Sequence, residues 1–118
     1  MNSWIRIGAI SGFFAVALGA FGAHGLKSIV TPDMLETYRT GVLYHLIHSV
    51  VILAIGFYGN KRLNISALFF LIGIILFSFS LYVYSVTGIK ALAMITPFGG
   101  VSFLIGWIMT ALRGKTTD

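Results

Sequence analysis

An all-α integral membrane protein with four spanning helices is the fold class this sequence predicts, and three observations carry it. Of 118 residues, 58% are hydrophobic and only 9% charged, too few charges to cover a water-facing surface. The apolar residues gather in four runs that are long enough, or nearly so, to cross a hydrocarbon core needing about 20 residues per helix. The charges fall outside those runs, except Arg6 near the start of the first. A bilayer removes the need for a polar exterior but leaves backbone groups no water to bond, so each spanning segment pairs its own as a helix. With little length left for a second module, residues 1–118 read as one membrane domain.

The runs cover residues 4–23, 42–59, 65–86 and 97–112. The last is short, so 91–95 is expected to lie within the membrane region too. Alternating spans put Arg6, Lys61, Arg62, Arg113 and Lys115 on one side, and Lys27, Arg39 and Lys90 on the other with Asp33 and Glu36. The excess of cations on the first side predicts a multi-pass plasma (inner) membrane protein with both termini cytoplasmic. Trp4, Tyr58, Tyr82, Tyr84 and Trp107 fall near run ends, where interfacial anchors belong.

Arg6, an apolar stretch and Ala20-Phe21-Gly22 share the layout of a cleaved signal peptide. The small residues suit helix packing better. Gly8, Gly12, Ala15, Gly19 and Gly22 recur at steps of four and three, which lines one helix face and lets a neighbouring backbone approach closely. Gly99, Ser102 and Gly106 form a shorter seam on the fourth span, which makes it a candidate partner. Packing within one four-helix unit and packing in a homo-oligomer both use such seams.

Between the first two spans, Thr31-Pro32-Asp33 is a helix start: threonine caps, proline fits the first helical position, and aspartate faces the positive helix end. It predicts a short helix from Pro32 toward Tyr38 lying at the membrane interface on Met34, Leu35 and Tyr38, with Gly41 bending the chain before the second span. Thr96-Pro97 repeats the device and predicts that the fourth span begins there. Gly99 and Gly100 would then leave open backbone N–H groups in its first turn, which suit either a threonine cap or an anionic group.

Charge and cysteine content exclude several classes. The net charge of +5 is scattered singly or in pairs, with no basic face of the kind that binds nucleic acid. There is no cysteine, hence no disulfide, thiolate metal site or dithiol chemistry. The polar residues inside the spans are few, and an intramembrane polar group is a functional candidate by default. His24 closes the first span; His45 and His48 stand near the start of the second; Ser78, Tyr82 and Ser85 share a face of the third; Thr96 opens the fourth. In a simple bundle they meet in the outer half of the membrane. Tyr38, Gly41, His45, His48 and Ile52 lie on one helical stripe, expected to face the bundle, with Leu46, Val50 and Leu53 toward lipid. The ligand-binding candidates are therefore His24, His48, Ser78, Tyr82, Thr96, Gly99 and Gly100, against a plain hydrogen-bonded network of the same groups. Three histidines with Glu36 could in principle hold zinc, but an i, i+3 spacing is only permissive and no recognised metal motif accompanies it. No metal or other cofactor is expected.

Gly19-Ala20-Phe21-Gly22-Ala23-His24-Gly25-Leu26, Tyr44-x-x-x-His48, Phe77-Ser78-x-Ser80-Leu81-Tyr82, Ile95-Thr96-Pro97-x-Gly99-Gly100 and Gly106-Trp107 occur in that order along the chain. Together they resemble domain-of-unknown-function family 423, small four-span bacterial membrane proteins related to eukaryotic transmembrane protein 256. The resemblance covers nearly the whole chain and implies an integral plasma-membrane protein without an assigned activity. The family usually has glutamine at the position of His45 and glycine at that of Phe79. That departure marks His45 as incidental and His48 as the residue to follow.

Three functions fit this inventory. The favoured one is a non-catalytic protein that binds a lipid, small apolar ligand or protein partner through the polar cluster. A small oligomeric transporter or channel is the alternative, although no acid lies within a span and proton coupling would fall to His48. An enzyme fits least, because His48 with Ser78 or Ser80 has neither an orienting acid nor an oxyanion site.

Overall fold

The structure is a computed structural model that describes residues 3–114. Lys115, counted above among the cytoplasmic cations, lies outside them. Among the described residues four helical spans are long and apolar enough to cross a membrane: Ser3–Gly25, Pro32–Tyr58, Lys61–Thr87 and Lys90–Arg113. We label the α-helices α1 (Ser3–Gly25), α2 (Pro32–Tyr58), α3 (Asn64–Gly73), α4 (Phe79–Thr87) and α5 (Lys90–Arg113). The third span is composite. A 3₁₀ turn, Lys61–Leu63, leads into α3, and a π-helical turn, Ile74–Ser78, joins α3 to α4. Gly59 and Gly88 take left-handed φ angles of 76° and 70° just after α2 and α4, which turns the chain back sharply.

Two boundaries differ from those the sequence predicts. Thr31 does cap α2, accepting from the Met34 amide at 3.2 Å. But α2 then runs unbroken for 27 residues, so there is no separate interfacial helix. Leu35 and Tyr38 are buried with Leu26 and Tyr82 instead of lying on the membrane. Gly41 makes no bend because its role is clearance: a Cβ there would lie 2.9 Å from Cε1 of Tyr82. Likewise α5 begins at Lys90, and Pro97 sits inside it. Proline has no N–H for the Ala93 carbonyl, a loss that membrane helices tolerate when neighbouring groups compensate. Thr96 therefore caps nothing, and Gly99 and Gly100 lie mid-helix without an open first turn.

The helices are arranged in a flattened row. α1 packs along α2, α2 against the third span, and the third span against α5, within overall dimensions of 55 × 25 × 16 Å. The small face of α1 meets α2 in antiparallel register. A Cβ at Gly8 would reach the Leu53 nitrogen at 2.7 Å, Gly12 stands opposite Ser49, Gly19 opposite Val42, and Gly22 beneath the Tyr38 ring. Ala15 is fully buried in the same face. The seam on α5 packs elsewhere, Gly99 against the Phe77 backbone and Gly106 against the Phe70 ring. The two seams therefore do not pair with each other. Outward faces are apolar, with Phe13, Phe98 and Leu104 each more than 60% exposed, as a lipid-facing surface requires.

Candidate functional site

The continuous α2 changes the depth of the histidines. His45 is the middle residue of Pro32–Tyr58 and bonds Ser11 near the middle of α1, so the pair sits near the middle of the spanning helices. Tyr38, Gly41, His45, His48 and Ile52 are all buried. Neighbours on one stripe, the histidines nevertheless serve two separate clusters.

His45 is 1% exposed and bridges three spans. Its Nδ1 lies 2.8 Å from the Tyr82 hydroxyl and its Nε2 3.1 Å from Ser11 Oγ. Ser11 and Ser49 hydroxyls are 2.6 Å apart, and Ser49 donates to the His45 carbonyl at 2.7 Å. That last bond sets the direction of the rest. Ser49 has spent its proton, so Ser11 donates to Ser49; Ser11 then accepts from His45 Nε2–H; and Nδ1 accepts from Tyr82 O–H. The ring is neutral and both nitrogens are engaged. His45 is thus a central tie of the bundle and not incidental. Tyr38 closes the same layer above it, donating to the Leu18 carbonyl at 2.5 Å across the bare surface of Gly22.

His48 belongs to a second, more aromatic cluster. Nδ1 stands 2.7 Å from the Tyr44 carbonyl, and Nε2 accepts from the Trp107 indole at 3.1 Å. A carbonyl only accepts and an indole only donates, so His48 is the neutral Nδ1–H tautomer. Its ring stacks on Phe103 with centroids 3.7 Å apart, and Phe70 and Trp107 flank it. Trp107 bonds His48 through its indole while 44% of its surface stays exposed, whereas Tyr82 is buried and bonded to His45.

The remaining candidates are dispersed. His24 is exposed at the end of α1, apart from the other two histidines. Among the described residues no group of three potential metal ligands gathers. Thr96 pairs with Ser80, hydroxyls 2.6 Å apart, and ties α5 to α4. Ser78 is fully buried in the π-helical turn, and its hydroxyl has no hydrogen-bond partner among the described residues. His24, His48, Tyr82 and Thr96 therefore do not line one pocket.

Among the described residues, two grooves flank the third span. One, of about 290 Å³, lies between α1 and that span over Ser11 and His45, lined otherwise by apolar side chains such as Ile10, Phe14 and Phe79. The other, of about 410 Å³, lies between α2 and α5 over His48, bounded by Tyr44, Phe77, Pro97, Gly100, Phe103 and Trp107. The second is the better candidate, because rigid rings form its walls and Gly100 leaves its floor clear. Sequence reasoning named His48 and Gly100 here but missed Tyr44 and Phe103. The former had appeared only in the motif Tyr44-x-x-x-His48 that carries the family resemblance.

A family profile described as "Protein of unknown function (DUF423)" matches residues 18–100. The chain is 44% identical to the UPF0382 membrane protein YwdK of Bacillus subtilis over 114 residues, 92% of this chain and 93% of that one. It is 43% identical to a UPF0382 membrane protein of Haemophilus influenzae, covering 93% and 91%. The UPF0382 inner membrane protein YgdD of Escherichia coli K12 is 41% identical, covering 86% and 80%. No solved structure matches.

Proposed function

The chain belongs to the DUF423 family of proteins of unknown function, and from its own geometry we propose that it binds a lipid or small apolar molecule, without catalysis, in the groove between α2 and α5. It is a multi-pass membrane protein of the plasma (inner) membrane. The observation that carries the reading is the 410 Å³ groove beside His48, within the usual size of small-molecule sites. Its lining is held in place from behind: His48 is bonded at both ring nitrogens, and Phe103 stacks on it. A preformed, rigid apolar surface binds at lower cost than one that must order on contact. The locked neutral imidazole supports a role for His48 as a supporting wall and not as a proton carrier.

Native mass spectrometry of the gently solubilised full chain tests this against a Gly100→Leu variant, whose side chain would occupy the groove. The expected result is a reproducible adduct on the unmodified chain that the variant loses. Adducts of equal abundance on both would reject the groove as the site. The same spectra report whether the chain assembles into a homo-oligomer.

A further inference from the structure

Tyr44 brings a polar atom to the groove that no described residue uses. Tyr82 and Tyr38 each hydrogen-bond through their hydroxyls, and Tyr58 reaches the Gly114 carbonyl. The Tyr44 hydroxyl has no hydrogen-bond partner among the described residues, although its ring packs against Phe77 at 4.8 Å and stacks on Phe103 at 6.2 Å. The side chain is 39% exposed on the groove wall, next to the middle residue of α2. At that depth there is no water to satisfy a phenol O–H, and leaving it bare costs a few kcal/mol. The other polar groups of the groove are spent: His48 at both nitrogens, and the Trp107 indole on His48. The groove therefore offers one donor, set in an apolar and aromatic surface.

Depth decides which acceptor can reach it. Half the hydrocarbon core is about 15 Å, so the ester carbonyls of a glycerolipid stay roughly that far from mid-membrane and present only chain ends there. An acceptor reaches mid-span only on a molecule that dissolves in the hydrocarbon itself. The walls add shape. The Tyr44, Phe77 and Phe103 rings favour an offset-stacked planar group, and Gly100 leaves space for it beside α5. We infer that the groove takes a membrane-dissolved cyclic carbonyl compound, a lipid-soluble quinone in class, whose carbonyl oxygen accepts the Tyr44 hydroxyl. This rests on the groove being a binding site, and it adds the ligand's chemistry.

The chain has two tryptophans, so Trp4→Phe leaves Trp107, in the groove wall, as its sole tryptophan, excited selectively over the five tyrosines. This full-length variant in nanodiscs is titrated with a decyl-substituted benzoquinone and, by competition, with decylbenzene, which has the same tail and no carbonyl. Saturable quenching by the quinone is expected, with an apparent Kd raised about tenfold by the conservative Tyr44→Phe change and weak competition from decylbenzene. If quinone and decylbenzene bind alike, with or without the Tyr44 hydroxyl, and Gly100→Leu abolishes both, the groove binds apolar molecules and the carbonyl inference is overturned. Quenching that rises linearly without saturation, unchanged by Gly100→Leu, overturns both readings. A diacyl phospholipid retained over its dialkyl ether analogue in native spectra, and only with Tyr44 intact, would put an ester carbonyl on Tyr44 and overturn the quinone assignment.

Discussion

His45 shows how much one side chain can hold when its partners lie on other helices. It joins α1 through Ser11 and α4 through Tyr82 from the middle of α2. Replacing it by alanine strands the Tyr82 hydroxyl and opens a void, and we expect a loss of about 2–4 kcal/mol in detergent-micelle unfolding. Glutamine offers one donor and one acceptor from its amide, so His45→Gln should cost less than about 1 kcal/mol. Equal damage from both would mean that the imidazole shape and not its hydrogen bonds holds the spans. In the second cluster Trp107→Phe leaves His48 Nε2 without a donor. The expected loss there is about 1 kcal/mol, the ordinary scale of interhelical hydrogen bonds in membranes, read in the same unfolding assay.

At the scale of helices, stability comes from how closely backbones approach. In lipid there is no water to drive helices together, so dispersion contacts between smooth faces do much of that work. Gly8 and Gly12 separate that effect from simple smallness. Alanine at Gly8 would meet the Leu53 backbone at 2.7 Å, whereas at Gly12 the nearest atom, Ser49 Cβ, is 3.9 Å away. Gly8→Ala should therefore destabilise by about 1–3 kcal/mol by prying α1 from α2, while Gly12→Ala stays near neutral, both measured by thermal unfolding in detergent. Similar effects at the two sites would contradict the register described above. The glycine periodicity was readable along the chain, but its partner was not. Small residues mark a face that can be approached without saying what approaches it, and the fourth-span seam turned out to pack on the third span.

For the whole molecule, the remaining expectation is orientation. The positive residues predict the Lys61 end in the cytoplasm and the Ser28 loop outside. Because the chain contains no cysteine, single substitutions report cleanly. Ser28→Cys should react with a membrane-impermeant maleimide in intact cells, and Lys61→Cys only after lysis. The reverse pattern would invert the topology and with it the side from which each groove is approached.

The chain's composition and its four apolar runs were enough to read an all-helical membrane protein, because the bilayer imposes length and hydropathy on each span independently of the others. The buried stripe of α2 was legible for a similar reason, since helical periodicity is local. The division of the polar residues into two clusters was not. Ser11, His45 and Tyr82 are more than thirty residues apart along the chain, and which hydroxyl meets which ring nitrogen depends on the packing register of three helices. Local pattern likewise could not tell that Thr31-Pro32 starts a helix while Thr96-Pro97 lies inside one. A proline is tolerated in the interior of a membrane helix when its surroundings make good the missing bond, and those surroundings exist only once the spans have packed.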